Sequence, residues 1–229
     1  MVNPLVGLSM RGVIWYQGEN NTNRAKEYYH LFPAMINDWR KKWGKDFPFY
    51  WVQLANYMDA VEVPSESLWA QVREAQTQTL SLSHTGQAVI IDIGEAKDIH
   101  PKNKQEVGRR LALHALHNDY GFSDVVCESS MPKTVRRVQD KIVVQFDNVA
   151  DGLIVKNKYG YLMSFAVAGN DGVYKWVQAK VAGKDRVVLS CPDVIDPVSV
   201  RYAWGDNPDD ANLYNSVGLP ATPFEIKIE

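Results

Sequence analysis

The segment that most constrains the fold is residues 12–21, GVIWYQGENN. It begins as an apolar run and ends, without a break, in residues that mostly carry an amide or a carboxylate. A short apolar run bounded by such a cluster is typical of a buried strand that delivers polar groups to its carboxyl end. In open parallel sheets ligands bind at that end. The segment therefore predicts both a buried strand and one side of a ligand site.

A second polar cluster, residues 92–101, ends another apolar run further along the chain and contains His100. Because the carboxyl ends of parallel strands lie at the same edge of a sheet, we expect the two clusters to form two halves of one site.

The N-terminal half alternates strand-like and helix-like segments. Strands are predicted at residues 12–16, 48–54 and 88–93, and helices at residues 22–43, 67–83 and 104–119. This alternation predicts right-handed βαβ crossovers and a parallel sheet with helices on its faces. Three strands are few for a doubly wound sheet, and no predicted element covers the outer flank of the first strand. We therefore expect a partial α/β sheet.

The pattern of apolar and polar residues changes from about residue 125 onward. Short alternating runs separated by turn residues occur at residues 133–138, 141–146, 161–166, 176–181, 186–190, 198–203 and 224–228. Such spacing predicts a small antiparallel sandwich. The predicted division is an α/β domain over residues 1–123 and a β-rich domain over residues 124–229.

Composition excludes several classes of protein. The net charge is −2 and no basic block is present, so a nucleic-acid surface is not expected. No apolar run is long enough to span a membrane, and the N-terminus lacks the pattern of a signal peptide. The two cysteines, Cys127 and Cys191, are expected to be buried free thiols, with a single disulfide as the alternative.

His100 is the candidate general base. It lies in a predicted loop between a strand and a helix, and Pro101 follows it. A loop histidine beside carboxylates suits a base whose tautomer is held by an acidic neighbour. Asp98 is the nearest such neighbour, with Glu95 and Asp92 as further options. The alternative is a surface histidine at the start of a helix.

The polar end of the first strand offers hydrogen-bond donors. Gln17 and Asn20 carry side-chain amides, and Gly18 presents an unobstructed backbone N–H. Such donors are what the oxyanion of a tetrahedral intermediate requires. Glu19 is an acceptor that can orient a sugar hydroxyl or a neighbouring loop. The alternative is a polar turn stabilised by its own amides.

No nucleophile accompanies these groups in the expected place. Acyl transfer with a histidine base normally uses a serine or cysteine on a sharp strand-to-helix turn. Ser9 is the nearest serine, but it precedes the first strand, and Cys127 and Cys191 fall in the β-rich half.

Four other residues of interest favour structural roles. His114 and His117 are spaced to share one helix face, but no third metal ligand is evident, so core or surface positions are favoured and no metal site is expected. Arg73 and Arg109 are expected to form surface ion pairs rather than substrate clamps.

Several motifs together resemble the sialate O-acetylesterase family, within the larger group of SGNH (GDSL-like) carbohydrate esterases. In the N-terminal half the similar segments are GVIWYQGENN (12–21), DIHPKNK (98–104) and GRRLA (108–112). In the C-terminal half they are YAW (202–204), NLYN (212–215) and GLPATPF (218–224). The resemblance covers essentially the whole chain.

The resemblance implies a mechanism. In that family a serine upstream of the Trp-Tyr-Gln-Gly-Glu block attacks the acetyl carbonyl, and the histidine of the His-Pro motif, here His100, acts as base. In SGNH enzymes the acid often stands three residues before that histidine, where this chain has Lys97, so Asp98 is displaced by one position. The block equivalent to residues 17–20 contributes to the oxyanion hole in the wider group.

The resulting expectation is the C-terminal part of a carbohydrate O-acetylesterase with a partial SGNH-type three-layer α/β/α sheet. Its substrate would be an acetylated carbohydrate, it would need no metal or organic cofactor, and its parent protein would be periplasmic or secreted. A missing N-terminal segment or a second copy of the chain would complete the sheet. The alternative is a catalytically inactive fragment or a carbohydrate-binding module without the serine.

Overall fold

A parallel sheet forms the N-terminal half of the computed structural model, which describes residues 2–229. Its strands are β1 (Val13–Trp15), β2 (Phe49–Val52) and β3 (Thr85–Ala88), hydrogen-bonded in the order β1-β2-β3. Sequence order and spatial order therefore coincide, and a helix lies between each two successive strands.

Three α-helices follow the strands: α1 (Ala25–Trp43), α2 (Leu68–Gln78) and α3 (Lys104–Asp119). Short 3₁₀ turns occupy Asn3–Leu5, Glu19–Arg24 and Thr79–Ser81. Ser67 caps α2 by accepting from Ala70 N at 2.8 Å, and Gly44, with a φ of +62°, ends α1 in the left-handed conformation. Within residues 2–229 no helix is both long enough and apolar enough to cross a membrane.

The helices cover both faces of the parallel sheet. On one face α1 and α2 pack against Phe49 and Trp51. On the other, α3 packs its Val107 and Leu111 against Tyr50 and Val52. Alternate residues of β2 thus face opposite helical layers, which explains why that strand is apolar throughout.

Ten antiparallel strands follow. They are β4 (Met131–Val138), β5 (Lys141–Asp147), β6 (Leu153–Val155), β7 (Phe165–Ala168), β8 (Tyr174–Trp176), β9 (Gln178–Ala182), β10 (Arg186–Ser190), β11 (Ser199–Tyr202), β12 (Leu213–Asn215) and β13 (Phe224–Lys227). They form two four-stranded sheets, β4-β5-β10-β9 and β13-β11-β7-β8, and a two-stranded sheet, β12-β6.

The two four-stranded sheets share one core, as a sandwich does. Val144 and Leu189 from the first sheet belong to the same buried cluster as Phe165, Val200 and Phe224 from the second. The sequence-based expectation of a mixed α/β chain with a parallel sheet followed by antiparallel sheets is therefore confirmed. The division into domains at residues 123 and 124 stays a prediction.

Several predicted boundaries are wrong. The third parallel strand lies at Thr85–Ala88 rather than at 88–93, because the less apolar residues before the apolar run form the ladder with β2. The predicted strand at 176–181 divides at Val177 into β8 and β9, which belong to different sheets. The predicted helices at 22–43 and 67–83 are shorter, since 3₁₀ turns precede α1 and follow α2.

Candidate active site

The two polar clusters meet in one cavity at the carboxyl edge of the parallel sheet. Its volume is about 320 Å³, and it is lined by Tyr16, Gln17, Glu19, Asn20, Ile99, His100 and Lys104. The exit of β1 and the loop after β3 therefore form opposite walls of the same site.

A sharp bend at Gly18 gives the β1 side its shape. Gly18 has a φ of +152°, and a Cβ there would lie 3.2 Å from Gln76 Nε2. Gln76 lies on α2 and is fully buried; its amide donates to Gln17 O at 3.3 Å and accepts from Leu54 N at 3.0 Å. The bend therefore requires glycine and is fixed from behind by α2.

The Gln17 side chain is held in place by two neighbours. Its Nε2 donates to Asn21 Oδ1 at 2.7 Å, and its Oε1 accepts from the Tyr28 hydroxyl at 3.3 Å. Burial raises the pKa of Tyr28 to about 12, so this hydroxyl remains a donor at neutral pH. One amide hydrogen of Gln17 is left for another acceptor. Asn20 lies at the rim and is exposed.

His100 presents its ring to solvent, with 84% of its side chain exposed. The backbone N–H of His100 donates to Asp98 Oδ1 at 2.9 Å, whereas Nδ1 of the ring is 3.7 Å from the same oxygen. The second distance is too long for a hydrogen bond. Asp98 thus fixes the loop that carries His100, and its role toward the imidazole stays a prediction.

The two other carboxylates considered as partners of His100 are engaged elsewhere. Glu95 pairs with Lys102 at 2.7 Å. Asp92 accepts two hydrogen bonds from the guanidinium of Arg110, at 2.6 and 2.9 Å. Of the three candidates, Asp98 is therefore the one whose carboxylate lies beside His100.

Tyr16 is a site residue that sequence reasoning missed. Its hydroxyl is buried and has no hydrogen-bond partner within residues 2–229, and its ring lies 4.9 Å from Lys104 Nζ. Burial, and then the charge of Glu19, raise the pKa of Tyr16, so the hydroxyl keeps its proton. Its position between an apolar run and Gln17 was the available signal, but the residue was counted with the apolar run.

Ser9 does not belong to this cavity. The neighbouring Leu8 carbonyl accepts from Trp43 Nε1 at 3.2 Å, and Met10 O accepts from Lys45 Nζ at 3.4 Å. Trp43 is the last residue of α1 and Lys45 lies just after its end, shortly before β2 begins. Residues 8–10 therefore lie at the amino edge of the sheet, opposite His100.

The two cysteines are free and buried, as predicted. Burial raises the pKa of Cys127 to about 11, which keeps it a thiol at neutral pH. His114 and His117 each contact a backbone carbonyl, Gln87 O at 3.1 Å and Val125 O at 2.8 Å. No three His, Cys, Asp or Glu side chains cluster as a metal site would in the part of the chain that the structure describes.

The prediction for Arg109 is confirmed and that for Arg73 is wrong. Arg109 forms an exposed pair with Glu106 at 2.7 Å. Arg73 is fully buried and donates to four backbone carbonyls, those of Leu54, Ala55, Gly205 and Asp206. The local sequence pattern of α2 could not reveal this burial, because the loop that covers Arg73 comes from the far end of the chain.

Comparison with known proteins identifies the family. Residues 2–117 match the sequence profile of carbohydrate esterases described as sialic acid-specific acetylesterases. The chain belongs to this carbohydrate esterase family.

Relatives of the family align over nearly all of the chain. It is 29% identical to sialate O-acetylesterase from Pongo abelii over 98% of its length, and 29% identical to that from Mus musculus over 100%. A crystal structure of a carbohydrate acetylesterase from Xanthomonas citri is 44% identical and superimposes with a TM-score of 0.92 over 99% of this chain.

The carbohydrate esterases compared are longer than this chain. It covers 47% and 46% of the two curated relatives and 52% of the Xanthomonas citri chain. The chain thus spans about half the length of the relatives it matches.

Proposed function

We propose that the chain is the C-terminal part of a carbohydrate O-acetylesterase of the SGNH type. Its reaction is hydrolysis of acetyl esters on sialic acid or on polysaccharide sugars, by a Ser-His mechanism. The observation that carries this proposal is the single cavity in which His100 faces Gln17, Glu19 and Asn20. The family and the names of the relatives support acetyl ester hydrolysis. A periplasmic or secreted parent protein is part of the same proposal.

The roles follow from the chemistry of the cavity. The His100 imidazole accepts the proton of a serine hydroxyl as its oxygen attacks the acetyl carbonyl, and then donates the proton to the departing sugar oxygen. Water releases acetate from the acyl-serine by the same proton path in reverse. Gln17, Gly18 and Asn20 surround the position of the oxyanion, where charge develops in the transition state. Glu19 accepts a hydrogen bond from a sugar hydroxyl, and Asp98 stabilises the imidazolium.

The serine is supplied from outside the residues around this cavity, whose lining in residues 2–229 contains no serine or cysteine. The edge of β1 that faces away from β2 has no pairing strand within the described residues, and Ile14 on this strand is 71% exposed. Parallel strands are normally covered on both faces and rarely left as apolar edges. We assign this edge to a further parallel strand that carries the nucleophile, from another segment of the polypeptide or from a second copy.

A second candidate function is a carbohydrate-binding module without hydrolytic activity. The absence of a serine or cysteine from the described lining favours it. The two candidates differ in turnover, and His100 matters to only one of them.

The test is hydrolysis of 4-nitrophenyl acetate by the protein as its gene encodes it, compared with the variants His100→Ala and Ser9→Ala. The esterase proposal predicts that His100→Ala lowers kcat by about 10²–10⁴-fold, the usual contribution of a general base, and that Ser9→Ala leaves it unchanged. Background turnover by the wild type would favour the binding module. Loss of activity in Ser9→Ala would refute our assignment of the nucleophile.

A further inference from the structure

A second cavity lies on the seam between the parallel-sheet half and the sandwich. Its volume is about 310 Å³, within the range of small-molecule sites. One wall is the loop 60–62 that follows β2, and the other is formed by residues 162–165, 176–177, 203–205 and 207–210. We call it the seam cavity; none of its lining residues belongs to the cavity of His100.

An indole ring forms one side of the seam cavity. Trp176 is 42% exposed, although large aromatic side chains are usually buried, and its Nε1 donates to Glu62 O at 2.9 Å. The hydrogen bond holds one edge of a ring that remains partly exposed. A fixed, exposed ring of this kind is suited to stacking on the apolar face of a sugar, with hydroxyl groups left at the edges.

The charged side chains that line the seam cavity are all carboxylates, which accept hydrogen bonds. Glu62, Asp209 and Asp210 line the seam cavity, and its lining in residues 2–229 includes no lysine or arginine. Asp209 is exposed, so its oxygens are available to sugar hydroxyls. An anionic sugar would meet like charges here, which costs binding free energy. The charge of the cavity therefore favours a neutral sugar.

The backbone around the seam cavity is held in uncommon conformations. Ser164 and Ala203 have φ values of +61° and +50°, and Ala203 N donates to Ser164 O at 3.0 Å. Trp204 also lines the cavity, and its buried Nε1 has no hydrogen-bond partner within residues 2–229. Strained residues and unpaired buried donors cluster at functional sites more often than elsewhere.

One loop connects the seam cavity to the region of His100. Met58 N donates to Ala96 O at 3.0 Å, in the loop that leads to His100. The carbonyl of the same residue accepts from Asn207 Nδ2 at 2.8 Å, on the wall of the seam cavity.

From these observations we propose that the seam cavity binds a neutral sugar residue of a carbohydrate chain, through stacking on Trp176 and hydrogen bonds to Asp209. Its carboxylates make the binding of anionic sugars weaker. This inference rests on the proposed carbohydrate role of the protein, and it adds a place where a longer glycan is held away from the acetyl group.

The experiment is isothermal titration of the full chain with two neutral probes, cellotetraose and xylotetraose, and two anionic probes, trigalacturonate and α2,8-linked disialic acid. We expect at least one neutral probe to bind, and both anionic probes to bind at least about tenfold more weakly. Trp176→Ala should weaken binding of the neutral probe about tenfold, the scale of one aromatic contact. Phe122→Ala, which removes an exposed ring from the end of α3, should leave it unchanged.

A conservative variant keeps the test independent of folding. Asp209→Asn should bring trigalacturonate binding several-fold closer to that of the neutral probe. No binding of either neutral probe, equal binding of neutral and anionic probes, or an unchanged affinity in Trp176→Ala would overturn the proposal. His100→Ala should bind the neutral probe like the wild type, so failure of hydrolysis and failure of this cavity are separate results.

Discussion

Arg73 is the side chain whose removal should affect the fold most. It is fully buried on α2, and its guanidinium contacts both halves of the chain. Nε donates to Leu54 O at 2.8 Å and Nη2 to Ala55 O at 2.7 Å, at the exit of β2. Nη1 donates to Gly205 O at 2.6 Å, and Nη2 also donates to Asp206 O at 2.9 Å. Replacement by Met keeps much of the volume and removes every one of these donors.

The expected loss of unfolding free energy in Arg73→Met is the balance of opposing contributions. A hydrogen bond from a charged donor contributes about 1.5–3 kcal/mol, and a buried acceptor left without a donor costs about 1–3 kcal/mol. Desolvation of the guanidinium offsets part of the gain, by several kcal/mol. Burial lowers the pKa of Arg73 to about 9, so the group remains charged at neutral pH. We therefore expect Arg73→Met to lower the free energy of unfolding by about 3–5 kcal/mol, because four carbonyl oxygens lose their charged donor while the desolvation cost of the guanidinium is removed.

The assay is urea denaturation followed by tryptophan fluorescence. With an m value of about 2–3 kcal/mol/M, the expected loss moves the midpoint down by more than about 1 M. Arg109→Met is the matched control, because its exposed pair with Glu106 contributes about 0.2–1 kcal/mol. A loss in Arg73→Met no larger than in Arg109→Met would refute the view that this guanidinium joins the two halves.

Two further predictions concern the cavity wall and the acid stability of α3. Gly18→Ala should cost about 1–3 kcal/mol of stability and lower any esterase activity, because its φ of +152° is strained for alanine. Gly108→Ala, with nothing within 4 Å of the new Cβ, should instead stabilise α3 by about 0.5–1 kcal/mol. Equal effects of the two variants in chemical denaturation would contradict the argument. The hydrogen bond from Arg109, helped by Arg110, lowers the pKa of Glu106 from 4.5 to about 2. The folded-state pKa of Glu106 lies below its unfolded-state pKa, so its contribution to stability is full above about pH 4.5 and is lost as the pH falls toward 2. Glu106→Gln should therefore reduce the loss of thermal stability between pH 4.5 and 2. An unchanged loss of stability over this range would contradict the assignment.

Local signals in the sequence located most elements of the α/β half. The predicted helix at 104–119 matches α3 because Asn103 supplies a cap, accepting from Glu106 N at 3.1 Å, and the helical pattern runs unbroken behind it. Gly44 likewise ends α1 where predicted. These signals lie within a few residues of the boundary they set, so a single sequence contains them.

Long-range contacts account for what the sequence did not reveal. The apolar segment Val89–Ile91 looked like a strand, but Val89 and Ile91 pack into the core of the sandwich while the ladder with β2 uses Thr85–Ala88. The short strands β6 and β12 pair with each other and carry too few residues for an alternating pattern. The burial of Arg73 depends on a loop more than 130 residues away.

The candidate site shows the same division between local and distant information. Its two segments were found from the sequence because each ends a buried strand, and the carboxyl ends of parallel strands share an edge. The side-chain geometry of these segments could not be predicted from the sequence. The bend at Gly18 depends on Gln76 of α2, and the Tyr16 hydroxyl, which has no partner within residues 2–229, is buried by distant parts of the chain. Within residues 2–229, the edge of β1 that faces away from β2 has no pairing strand. A parallel strand paired there would bring its own carboxyl end to the edge where His100 lies, so the proposed Ser-His mechanism would place its nucleophile at that edge.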